Sequence, residues 1–88
     1  MLEDILDRYY ARKLARKICD RLAVYYIDKK VIYTKHLVEL YIKQPKWKEE
    51  NYVLVMAIPY TECFDILINR YTDLEEDVKN GVRNIYSV

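Results

Sequence analysis

From Phe64 onward the apolar residues recur in steps of three and four: Phe64, Leu67, Tyr71, Leu74 and Val78, with Ile85 still in phase. A strand cannot present such a set on one side, because its side chains alternate at every residue. The pattern predicts a helix that buries a heptad-like seam along almost its whole length. Thr61, just after Pro59, is a good N-cap, so the element is expected to run from Thr61 to Ile85. Asp73 followed by Glu76 offers an alternative, a second helix opened by a capping box. The phase is unbroken across Thr72, which favours a single helix or a barely bent one. Gly81 falls on the seam, where it either weakens the helix or admits a close backbone approach.

The N-terminal stretch predicts a second long helix, from Glu3 to Leu22. At 100° per residue, Ala11, Leu14, Ala15, Ile18 and Leu22 share one stripe bordered by Tyr10, and Arg8, Arg12, Lys13, Arg16 and Lys17 take the other side. In the first turns Leu2, Ile5, Leu6 and Tyr9 point towards the side that later becomes basic. One helix with two apolar patches must bury them against two different things.

Between the helices the signals are shorter. Val24–Ile27 and Val31–Thr34 are β-branched and aromatic around a polar Asp28-Lys29-Lys30, which predicts a hairpin turning at that triplet. Its turn has neither Gly nor Asn, so continuation of the first helix through Tyr26 is the alternative. Thr34 can cap a short helix to Lys43, with Leu37, Val38, Tyr41 and Ile42 on one side, stopped by Pro45. Gln44 to Asn51 is a polar linker containing Trp47, expected to be the mobile loop. Tyr52–Ile58 is a near-continuous apolar run, as suits a central strand covered on both faces.

These elements predict one domain over residues 1–88. Its fold class is α+β: a small antiparallel sheet of about three strands, packed by long N- and C-terminal helices. An all-α helical bundle is the alternative.

Net charge is only +1, but it is laid out unevenly. Residues 1–48 hold 12 of the 15 Lys+Arg and 6 of the 14 Asp+Glu, and residues 49–88 hold 3 and 8. That is +6 against −5, which points to an anionic partner or to subunits pairing basic end to acidic end. On the first helix, successive cations can neutralise successive phosphates. Tyr9 sits among them, able to stack on a base or bond a phosphate. Arg8, Tyr9, Arg12, Lys13, Arg16 and Lys17, with Lys29 and Lys30, form the candidate nucleic-acid-binding set. Ion pairs at Asp4–Arg8 and Arg16–Asp20 would reduce part of this face to solvated surface. The remaining tyrosines sit in apolar patterns and read as core or interface residues.

The expected function is therefore a non-enzymatic, small nucleic-acid-binding protein, with DNA or RNA left open. The alternative is a homo-oligomeric structural or adaptor protein. A homodimer is expected through Leu2, Ile5 and Tyr9 or through the Phe64–Val78 seam. No catalytic residue, cofactor, metal or small-molecule substrate is inferred. Asp73, Glu75, Glu76 and Asp77 fit the first turn or solvent side of a helix, and a lone His36 assembles no triad. Cys19 and Cys63 read as small, partly buried hydrophobes, with a bridge between them as the alternative. No apolar run approaches the roughly 20 residues that span a bilayer. Met1-Leu2-Glu3-Asp4 lacks the basic start of a signal peptide. The expectation is a soluble intracellular protein without a membrane partner.

One glycine and ten tyrosines in 88 residues, with many Lys, Glu and Arg, is the balance of a heat-adapted chain. This Tyr-, Ile- and Lys-rich, glycine-poor make-up resembles the small orphan proteins of viruses infecting hyperthermophilic archaea. The resemblance implies a viral protein acting in a host cytoplasm. It is carried by composition alone and brings no functional residues with it.

Overall fold

The computed structural model describes residues 2–44 and 51–86. Helix α1 (Leu2–Leu22) leads through a single 3-10 turn (Ala23–Tyr25) into three strands, β1 (Asp28–Tyr33), β2 (Leu37–Lys43) and β3 (Val53–Pro59). Helices α2 (Tyr60–Asn69) and α3 (Tyr71–Tyr86) follow. The strands form an antiparallel meander in the order β1-β2-β3, and the helices pack on it. The fold is α+β.

Helix α1 carries the stripe that its periodicity predicts. Ala11, Leu14, Ala15, Ile18 and Leu22 are all buried. They meet Val38, Leu40 and Ile42 of β2, Met56 and Ile58 of β3, and Cys63, Ile66, Val78 and Val82 of the later helices in one apolar cluster. Every buried residue of β2 is an alternate one, so among the described residues the helices cover one sheet face and leave the other uncovered by them. The other face shows Ile32, Leu37, Tyr41 and Leu54, none of which packs against the core cluster.

Several expected elements differ. The Asp28-Lys29-Lys30 triplet does not turn; it is the start of β1, and the hairpin turns instead at Lys35-His36. That turn uses no positive φ and no glycine. Thr34 supplies what glycine would have done. Its hydroxyl donates to the Leu37 carbonyl (2.8 Å) and accepts from the N–H groups of Leu37 (3.0 Å) and His36 (3.3 Å). The predicted capping geometry is thus present at Thr34, but the chain leaves it as a strand rather than a helix. Residues 37–43 satisfy both periods, and the alternation Val38, Leu40, Ile42 prevails because β2 lies between two partner strands.

Residues 53–59 form an edge strand, not a central one; Val53 and Leu54 are correspondingly exposed. Pro59 closes it, at a position where a missing N–H disturbs no ladder. The expected linker falls largely on residues 45–50, outside those described.

The single C-terminal helix is in fact two. Arg70 leaves helical geometry (φ −133°, ψ 21°), and Asp65 holds the break by accepting from Asn69 Nδ2 (2.8 Å) and Arg70 Nε (2.9 Å). A straight helix over Thr61–Ile85 would be roughly 38 Å long, against roughly 23 Å for a seven-residue strand. Bending keeps both halves over the sheet and shifts the phase. Helix α2 buries Tyr60, Cys63 and Ile66 and leaves Phe64 exposed, whereas α3 buries Val78 and Val82. Helix α2 also starts at Tyr60, one residue before the expected cap, because the Tyr60 N–H donates to the His36 carbonyl (3.1 Å).

Tyr26 joins the first helical segment to β1 in the left-handed region (φ 52°) and is 86% exposed. It is far from the core role expected of the tyrosines in apolar patterns. Cys19 and Cys63 are both free thiols.

Gly81 lies inside α3 with no positive φ, and a Cβ built there would meet Val55 Cγ1 at 3.9 Å, an ordinary contact. The close approach that would require glycine is absent. Gly81→Ala is expected to stabilise the fold by about 0.5–1 kcal/mol, read as a higher midpoint in urea with an unchanged slope.

Candidate nucleic-acid interface

The cations of α1 form two rows. Arg8, Arg12 and Arg16 follow at i, i+4 steps, about 6 Å apart along the axis. Lys13 and Lys17 form the second row, headed one turn earlier by Tyr9, 47% exposed. Arg12, Lys13, Arg16 and Lys17 are exposed and none is ion-paired; among the described residues the ion pairs are Arg21–Glu75, Arg70–Asp65 and Lys79–Glu75. The Arg16–Asp20 pair allowed by spacing does not form. The side chain of Asp4, the expected partner of Arg8, is outside those described.

Aromatic rings hold the lysines in place. Lys13 Nζ lies 5.0 Å from the centre of the Tyr9 ring, and the Tyr9 hydroxyl raises its pKa. Lys17 Nζ lies 4.0 Å from the centre of the Tyr71 ring. Such contacts orient a cation without neutralising it. Tyr71 is itself pushed up to about 12, first by burial and then by the Glu75 carboxylate beside it. Lys79 lies on the far side of Glu75, at 3.0 Å, and holds that carboxylate below its ordinary range.

The arginine row faces the edge of the sheet. Arg12, Ala15, Arg16 and Cys19 of α1 line a groove of about 340 Å3 with Val31 and Tyr33 of β1. Tyr33 is 45% exposed, and burial pushes its phenol up against the opposing pull of Arg12 and Arg16. Sequence reasoning read this tyrosine as a core or interface residue. Period-two alternation with Val31, read on the correct strand boundaries, is the signal that points it towards α1.

The two remaining candidates separate. Lys29 pairs across the strands with Ile42, on the helix side, and is near enough to Cys19 to influence its thiol. It extends the arginine row. Lys30 pairs with Tyr41 on the uncovered sheet face, with its Nζ 5.5 Å from the Tyr52 ring centre. The basic turn expected at these two residues is therefore a strand that sends them to opposite faces. Lys30 does not belong to the α1 surface.

The apolar residues of the first turns are exposed, Ile5 at 67% and Leu6 at 48%, so this chain does not itself supply the second burial surface that the helix was expected to need. The second surface considered for self-association is used differently: Val78 is buried within the chain, and Leu67, Tyr71 and Leu74 pack against the same core. Among the described residues no group of three or more His, Cys, Asp or Glu side chains is placed to hold a metal ion. Among the described residues no helix is long and apolar enough to cross a membrane.

Comparison with protein-family models, curated proteins and solved structures gives no match to this chain. The chemistry of its own surface carries the functional reading.

Proposed function

We propose that this chain is a non-enzymatic nucleic-acid-binding protein that lays α1 along a phosphate backbone. One observation carries the reading: Arg12, Lys13, Arg16 and Lys17 stand exposed on consecutive turns without a carboxylate partner among the described residues. Clustered like charges cost free energy through mutual repulsion, and a polyanion relieves that cost while releasing its own counterions. Arg8 and Lys29 extend the row, and Tyr9 and Tyr33 offer rings beside it. No recognisable base-reading motif is present, so binding is expected to depend on charge more than on sequence. The thiols support a role without covalent chemistry. Burial pushes Cys63 up to about 11 and also raises Cys19, so neither is a ready thiolate at neutral pH.

Fluorescence anisotropy against single- and double-stranded DNA and RNA at graded salt tests the proposal. Four phosphate contacts predict a log–log slope of about −3.6 or steeper on duplex DNA, with little dependence on sequence. Absence of binding, or affinity insensitive to salt, would overturn it.

A further inference from the structure

Beside the α1 rows, two depressions adjoin at Asp7 and Thr61. The first, about 350 Å3, is lined by Asp7, Arg8, Lys35, His36, Tyr60 and Thr61. Three basic side chains from two distant segments converge there, and among the described residues none of the three is ion-paired. The second, about 370 Å3, is lined by Leu6, Asp7, Tyr10, Thr61, Phe64 and Asp65. One wall is aromatic, with Asp7 and Asp65 as acidic neighbours: Phe64 is 46% exposed and its ring centre lies 4.6 Å from that of the half-buried Tyr10.

The basic depression is built rather than incidental. Its floor is Tyr60, only 7% exposed, whose hydroxyl donates to the Thr34 carbonyl and whose N–H donates to the His36 carbonyl. The Thr34 hydroxyl fixes the same turn from the other side. Lys35 and His36 are thus carried on a turn tied at both ends, and the Arg8 guanidinium is held over the Tyr60 ring at 5.3 Å. The turn backbone and the Arg8 guanidinium, already fixed, lose little freedom when a ligand arrives. The Thr61 hydroxyl adds an uncharged donor.

We propose that the two depressions form one nucleotide site, with a phosphate on Arg8, Lys35, His36 and Thr61 and a base against Phe64 and Tyr10. A basic, donor-rich pocket suits phosphate oxygens, and exposed aromatic faces suit a base, whichever base it is. Asp7 lines both depressions, where it is placed to accept from a sugar hydroxyl; its carboxylate opposes any phosphate, so Arg8 and Lys35 outweigh it for one phosphate and not for two. The chemistry therefore selects a nucleoside monophosphate unit, supplied either free or as the 5′-phosphorylated end of a strand. The site does not require the α1 rows to bind a backbone.

Titration of the 15N-labelled protein with adenosine 5′-monophosphate, adenosine and inorganic phosphate, followed by NMR, tests this. The nucleotide is expected to shift the amides of Lys35, His36 and Thr61 together with the Phe64 ring. Adenosine and inorganic phosphate should each bind about tenfold more weakly or worse. Changing Lys35 and His36 together to Ala should weaken the nucleotide at least about tenfold. Both are exposed, so the amide spectrum and the salt slope on duplex DNA should be unchanged. Phe64→Ala should weaken the nucleotide and leave inorganic phosphate unaffected. A short single strand with a 5′-phosphate that binds better than its 5′-hydroxyl form identifies a strand end, and equal binding identifies the free nucleotide. The site is refuted if the nucleotide shifts nothing, shifts only Arg12–Lys17, or binds no better than phosphate. Failure of duplex binding alone would remove the backbone reading and leave this site standing.

Discussion

Replacing Arg12, Lys13 and Lys17 together by alanine is expected to lower affinity for duplex DNA about a hundredfold at 200 mM salt. The figure follows from three lost phosphate contacts, each worth about 0.9 in the log–log salt slope. The slope itself should become shallower by about 2.7, and the loss should be nearly equal for every sequence tested. The fold should be unaffected, because all three side chains are exposed and none forms an ion pair among the described residues. Arg16 and Tyr9 remain, so residual binding should persist with a weaker salt dependence. A triple variant that binds with the parent's affinity and slope would reduce this face to solvated surface. The uncovered sheet face, with Ile32, Leu37, Tyr41 and Leu54, would then be the better candidate for function, through protein contacts.

Leu40→Ala should produce the largest loss of stability of any single change considered. Leu40 is fully buried at the centre of β2, opposite Val31 on one side and Met56 on the other. Truncating a leucine in such a place costs about 2–5 kcal/mol, the transfer term plus the cavity left behind. A small domain has little more than that to lose. Chemical denaturation should show a midpoint shifted far towards lower urea, and at the upper end of the range the protein would be largely unfolded at 25 °C. Tyr41→Ala, one residue along on the uncovered face, creates no such cavity and should cost far less. Equal losses at the two positions would mean that the sheet is covered on both sides in solution.

That contrast between neighbours shows where sequence reading succeeded and where it failed. In α1 one period was possible, and the buried stripe from Ala11 to Leu22 is the predicted one. The exposed cations on its other side were equally legible, since a helix face opposite a long apolar stripe has nowhere else to go. At Leu37–Lys43 two periods were possible. Leu37, Val38, Tyr41 and Ile42 make a helical stripe, while Val38, Leu40 and Ile42 make a strand. Local pattern could not separate them, because the hydrogen-bonding partners that decide the matter lie in β1 and β3.

The remaining differences share that origin. The turn at Lys35-His36 depends on Thr34 and on Tyr60, which is 26 residues away. The break at Arg70 depends on the length of the sheet beneath the helices. Lys29 and Lys30 part company because the triplet containing them is extended, and successive strand residues face opposite ways.

Residue types and their periodicity determined, without any tertiary contact, that there would be a long basic N-terminal helix, an antiparallel sheet and an apolar C-terminal helical region. Those properties are set within a few turns of the chain, where neighbours in sequence are neighbours in space. Only the tertiary structure decided which segments became β1 and β2, that β3 is an edge, that the last helix bends, and that Arg8 meets Lys35, His36 and Thr61 around one cavity. Each of those outcomes joins residues far apart in the chain, so its free energy is a sum over partners that no local window contains.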